Sequence, residues 1–287
     1  MLSRESRLAV VVIVAAAAGV ALAKVPLSSA ALPFRQTASY PVWVFLVAVV
    51  CGLCPIVWSH GRGALTQLVT RRSVMREALW YGACAAAVIV AYEIVVPVFV
   101  IHGPSPLPYI KVRFVAIYVA VALAAAPGVL AMRRIGDISL CGDGQAADLV
   151  AWRAILQSQL AGLGALVVLG TLTTAAFRNA TLEVPKARPA DFPPEYVLLF
   201  GAGLTVILAL AYVPPSERLR RRAQAVVDEM FPVPNHFNGD WQEQLQRRRD
   251  LSAALRTDET SRDSIQNALI IAGPLISTAL ALLISTH

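Results

Sequence analysis

The chain has 287 residues, of which 57% are apolar and 15% charged, with a mean hydropathy of +0.62 and a formal net charge of +7. A water-soluble domain of this length carries roughly 25% charged and 45–50% apolar residues. The composition therefore excludes an ordinary soluble globular protein, a disordered chain and a secreted disulfide scaffold.

A helix crossing the hydrocarbon core, about 30 Å thick, needs about 20 apolar residues at about 1.5 Å each. Apolar blocks of that size lie at about 8–24, 42–60, 78–101, 114–132, 155–177, 196–213 and 265–285, the first ending on Lys24 and the third interrupted only by Glu93. Lipid offers no partner to a backbone N–H or C=O, so each span must satisfy its own, as a helix does. The alternating period of a barrel strand is absent from runs such as AVVVIVAAAAGVALA. The expected fold class is all-α, a polytopic transmembrane helix bundle of about seven spans with a small cytoplasmic helical hairpin. Residues 1–213 make a six-span bundle, 214–264 the amphipathic hairpin and 265–287 a C-terminal transmembrane helix.

The first block has two readings. Arg4 and Arg7 precede an apolar run ending Ala21-Leu22-Ala23, the pattern of a cleavable signal peptide over residues 1–23, and the run is also long enough to remain as a span. The second block holds Cys51-Gly-Leu-Cys54-Pro55. Apolar surroundings keep thiols protonated, so these are expected to be core cysteines and not a redox pair. In the third, Glu93 is the one acid. A charged side chain at a helix centre costs roughly 2.5–3.5 kcal/mol, so Glu93 is expected to face the bundle or a water-filled cavity. At a similar depth stand Tyr118 on the fourth span, Thr171 and Thr174 on the fifth, and Ser277 and Thr278 on the seventh, all able to hydrogen-bond a carboxyl group. Pro55, Pro97, Pro127 and Pro274 lie in or near spans, where each removes a backbone donor. Gly162, Gly164, Gly170, Gly201 and Gly203 suit close helix packing.

The connection Arg133–Asp148 carries Asp137, Asp143 and Asp148 but no recognisable phosphotransferase spacing. The segment Pro214–Asp263 balances nine arginines against nine acids. Leu219, Ala223, Val226, Val227 and Met230 form a helical stripe there, for which Ser216 after two prolines is a candidate N-cap. Turn-rich Phe231–Gly239 breaks it, and a second helix opens near Asp240 with Trp241, Leu245, Leu251 and Leu255 on its apolar face. Leu219, Val226, Met230, Trp241 and Leu245 are the candidate docking residues for a cytosolic protein partner.

With the N-terminus inside, eighteen basic residues fall on the cytoplasmic side and seven outside, nine of the eighteen from the long segment after Pro214. That bias favours an N-terminus-in, multi-pass protein of a bacterial cytoplasmic membrane, its arginines facing anionic headgroups and not nucleic acid. Arg outnumbers Lys 22 to 3, read as a GC-rich coding bias. No zinc spacing, P-loop, hydrolase elbow or protease pairing occurs, so no metal or cofactor is expected, catalytic residues are unknown and the balance leans away from an enzyme. The leading functional expectation is a channel- or transporter-like pathway, as a homo-oligomer, with Glu93 in its polar layer. The alternatives are a noncatalytic anchor or scaffold recruiting a cytosolic partner through 214–264, and a lipid-modifying enzyme using the Asp137–Asp148 connection.

Overall fold

The structure is a computed structural model, and it describes residues 4–24, 32–68, 108–141, 145–185, 192–232, 241–255, 270–273 and 276. Among these the architecture is entirely helical: α1 (Arg4–Lys24), the single turn α2 (Leu32–Arg35), α3 (Tyr40–Leu68), α4 (Pro108–Cys141), α5 (Ala146–Leu182), α6 (Pro194–Met230) and α7 (Trp241–Ala254). Five of these helices, α1 and α3 to α6, are long and apolar enough to cross a membrane. The expected third span with Glu93, and the seventh apart from residues 270–273 and 276, lie outside the described residues.

Backbone contacts at small residues set the packing. A Cβ on Gly19 would stand 2.8 Å from Cys51 Sγ, and one on Gly52 would stand 3.4 Å from Ala16 Cβ, so α1 and α3 run antiparallel in close contact. A Cβ on Gly61 would meet Gly128 N at 2.6 Å and Pro127 C at 3.0 Å. Ala64 and Leu65 share a buried cluster with Leu130 and Ala131 one turn further along both helices, so α3 and α4 run parallel. Gln159 of α5 comes in at the same crossing, its Oε1 2.6 Å from where a Gly128 Cβ would be, and Tyr118 earlier on α4 meets Thr174 later on α5, so α5 is antiparallel to α4. The helical turn at 270–273 lies along α5, with Ile270 Cγ2 2.5 Å from a Cβ on Gly164 and Val168 Cγ2 3.2 Å from one on Gly273.

The result is an inside-out solvent pattern suited to lipid. Ile13, Phe45, Leu199, Ile207 and Leu210 are exposed on the outer faces, while Thr171, Thr173, Thr174, Thr205 and Gln159 are buried within. The bundle has two distinct ends. One gathers the termini of α1 and α5 with the starts of α3 and α6. Phe34, Tyr40, Trp43, Phe177, Phe192 and Tyr196 form a continuous set of ring contacts there, with centroids 5.1–5.9 Å apart. Glu183 closes this aromatic end by accepting hydrogen bonds from the Ser39 N–H, at 3.1 Å, and the Ser39 hydroxyl, placing a carboxylate at the positive end of α3. The other end holds Arg7, Arg62, Arg133, Arg134, Arg153 and Arg218.

α6 departs from the expectation of a helix restarting at Ser216. It continues through Pro214 and Pro215 without interruption, and the Ser216 hydroxyl donates to Val213 O at 2.9 Å instead of capping a new helix. The reason lies in the buried face. Val197, Gly201, Thr205, Leu208, Tyr212, Pro215, Leu219, Ala223 and Val226 keep one unbroken three-and-four spacing across the prolines. Each interior proline costs about 3 kcal/mol or more, and continuous burial on both sides of the pair outweighs it. At 37 residues α6 is about 55 Å long, so a good part of it extends beyond a hydrocarbon core of about 30 Å.

Candidate functional site

Two regions hold the residues singled out from sequence. The first is a polar layer between α4, α5 and α6. Thr171, Thr173, Thr174 and Thr205 are buried, and each hydroxyl donates to a carbonyl three or four residues back in its own helix: Val168 O at 2.7 Å, Leu169 O at 2.7 Å, Gly170 O at 2.9 Å and Gly201 O at 2.8 Å. Such back-bonding removes the hydroxyl's unmet donor without needing water. With its own proton committed to Gly170 O, Thr174 Oγ1 accepts from the Tyr118 hydroxyl. The Tyr118 ring leans on Phe200 of α6 with centroids 5.0 Å apart. Tyr118 and Thr174, two of the expected polar-layer residues, are thus brought together. Thr171 lies about one turn away on α5 with its hydroxyl bonded locally, and Glu93, Ser277 and Thr278 lie outside the described residues. Thr205 and Phe200 join the layer without a sequence signal beyond their phase on the buried face of α6.

The second region is the arginine-rich end with the distal half of α6 and α7. Leu219, Ala223, Val226 and Val227 belong to the same buried cluster as Met132 and Ile135 of α4 and Leu149 and Leu156 of α5. Leu219 and Val226 are therefore core, Leu245 is half-buried and Met230 is 58% exposed; the Trp241 side chain lies outside what is described. α7 is fixed by two arginines. Arg248 donates from Nη1 to Phe231 O at 2.5 Å and from Nη2 to Asp228, closing the last turn of α6, and Arg153 Nη1 donates to Leu255 O at 3.2 Å. The opposite faces stay exposed and mixed in charge, with the local pairs Glu217–Arg220, Glu217–Arg221 and Glu243–Arg247.

The acids of the 133–148 connection divide between separate tasks. Asp137 sits between Arg133 and Arg218 of α6. Asp148 accepts from the Gln145 N–H at 2.9 Å at the start of α5, and Asp143 lies outside the described residues. Cys51 and Cys54 are free thiols, with Cys51 against Gly19 at the α1–α3 contact. Among the described residues no group of three or more His, Cys, Asp or Glu side chains could hold a metal ion. No known protein family, curated protein or solved structure matches this chain.

Proposed function

We propose that the protein is a noncatalytic membrane anchor that presents a rigid, charged helical platform, the distal part of α6 with α7, to a cytosolic protein partner. The observation that carries the reading is the continuity of α6. One 37-residue helix joins the apolar bundle to the charged platform, and Arg248 and Arg153 lock α7 onto it. A platform joined through an uninterrupted helix keeps a fixed height and orientation above the bilayer. A partner could then bind without ordering the platform first.

The cytoplasmic placement is part of this proposal. Arg7, Arg62, Arg133, Arg134, Arg153 and Arg218 share the end that bears the platform, and that distribution supports an N-terminus-in orientation. The seven-span count belongs to it too. Because α3 and α4 are parallel, Leu68 and Pro108 stand at opposite ends of the bundle, which supports that count.

The test is charge reversal of Arg221 and Arg247 to Glu. Both are exposed and tied only to i,i+4 acids, pairs worth about 0.3–0.5 kcal/mol, so the bundle should keep its stability. The double variant should lose a protein that co-purifies with the wild type; retention of that protein would end the anchor reading. The Tyr118–Thr174–Gly170 chain favours a second reading, a solute or ion pathway, in which liposomes containing the protein give a flux that Glu93→Gln or Tyr118→Phe changes.

A further inference from the structure

We propose that α1 is a permanent part of the mature protein: Ala21-Leu22-Ala23 is a latent signal-peptidase site that the fold keeps closed, so the bond between Ala23 and Lys24 stays intact. The inference rests on the N-terminus-in orientation proposed above, which puts Lys24 on the outer side, where such peptidases act. The three residues carry the small-x-small pattern that cleavage needs. Hydrolysis would add water at the Ala23 carbonyl carbon, break the C–N bond and release the amino group of Lys24 with the proton. For that the enzyme must reach the carbonyl on an exposed, unwound stretch of chain.

The fold denies that access in three ways. α1 stays helical as far as Lys24, so Ala21 to Lys24 covers about 4.5 Å where an extended segment would cover about 10 Å. Ala23 is 1% exposed, in a cluster with Phe34, Tyr40, Trp43 and Val44 to which Ala176 and Ala180 of α5 also belong, and Leu22 packs against it. The last carbonyls of a helix have no partner within it. Here the Tyr40 hydroxyl donates to Ala23 O at 3.2 Å and Arg35 Nη2 donates to Lys24 O. The carbonyl that water would attack is thus a buried acceptor held by α3. One turn back, a Cβ on Gly19 would stand 2.8 Å from Cys51 Sγ and 3.2 Å from Val47 O, so unwinding the site also means parting α1 from α3.

The test expresses the full-length chain with a C-terminal tag in a bacterium and reads its N-terminus by intact-protein mass spectrometry. The wild type should keep residues 1–23 in nearly every molecule. Gly19→Leu drives a side chain into Cys51 and the α3 backbone, and should raise the fraction beginning at Lys24 at least about tenfold, because cleavage follows the population of the open form. Adding Ala21→Gln should abolish that product: Ala21 is exposed, so the change leaves the packing alone and removes only the small residue the peptidase needs. Tyr40→Ala removes the donor to Ala23 O and the ring beside it, and should give the same product at least about threefold above the wild type, an arm that holds if Gly19→Leu fails to fold. Processing of the wild type after Ala23 would overturn the proposal. So would Gly19→Leu and Tyr40→Ala chains that both stay whole while position 183, as Glu183→Cys, labels from outside. The same whole chains with position 183 labelled only from inside would overturn the orientation and, through it, the proposal.

Discussion

Adding one methyl group at Gly61 should damage the bundle, while adding one at Gly63, two residues away on the same helix, should not. A Cβ at 61 would meet the backbone of α4, at 2.6 Å from Gly128 N and 3.0 Å from Pro127 C, whereas at 63 nothing lies within 4 Å. Backbone atoms cannot rotate aside as a side-chain tip can. Relief to the 3.4 Å of ordinary contact requires α3 and α4 to move apart by about 0.8 Å at their crossing. That shift loosens Ala64 and Leu65 against Leu130 and Ala131 and disturbs the site where Gln159 enters. Overpacking of this kind costs about 1–3 kcal/mol, set against a gain of up to about 1 kcal/mol in helix propensity when Gly becomes Ala. Gly61→Ala should therefore be less stable by up to about 2 kcal/mol, and Gly63→Ala equal to the wild type or slightly more stable. Equilibrium unfolding in mixed micelles by added dodecyl sulfate reads both. Coincident curves for Gly61→Ala and Gly63→Ala would refute the close α3–α4 crossing.

Tyr118→Phe and Thr174→Val should show a favourable coupling of about 0.6 kcal/mol, at most about 1.7, in a double-mutant cycle of unfolding free energy, as intramembrane hydrogen bonds do; strictly additive effects would remove that bond from the account. Arg248→Met keeps the aliphatic stem of the side chain but breaks the links to Phe231 O and Asp228, so α7 should open locally. Limited trypsin digestion should then cut at Arg247 and Arg249 several-fold faster while the transmembrane fragments survive, and an unchanged digestion rate would show that Arg248 is no clamp. Glu183→Gln weakens the cap on α3 and should cost about 1 kcal/mol of stability; an unchanged melting temperature would remove that cap from the account.

The helical class and the membrane environment were legible because they depend on composition and block length, quantities that one sequence contains in full. The limits of α3, α4 and α5 were less so. Each helix runs beyond its apolar core into polar residues, as α5 does from Gln157 back to Ala146, and hydropathy does not record helical continuity in water. The prolines of α6 misled for a related reason. Pro214-Pro215-Ser216 is a sound local stop signal, but the phase of Tyr212, Pro215 and Leu219 joins the two halves, and a stripe started at Leu219 misses that continuity. The same stripe was read as a docking face because its partners, Ile135 and Leu149, are remote in sequence. In the polar layer, Tyr118 and Thr174 shared an expected depth, whereas Phe200 and Thr205 could be placed only once the phase of α6 was known. The contacts of Arg248, Arg153 and Glu183 with distant carbonyls, hydroxyls and acids obey no spacing rule at all.

The central claim is that the aromatic end and the platform stand on opposite faces of a bilayer, joined by α6. Site-directed cysteine labelling with a membrane-impermeant maleimide tests this most directly, using the exposed native Cys141 at the arginine-rich end and Glu183→Cys at the aromatic end, in sealed vesicles of known sidedness. The account predicts that right-side-out vesicles label only position 183 and inverted vesicles only Cys141. Labelling of both positions from one side of intact vesicles would contradict it.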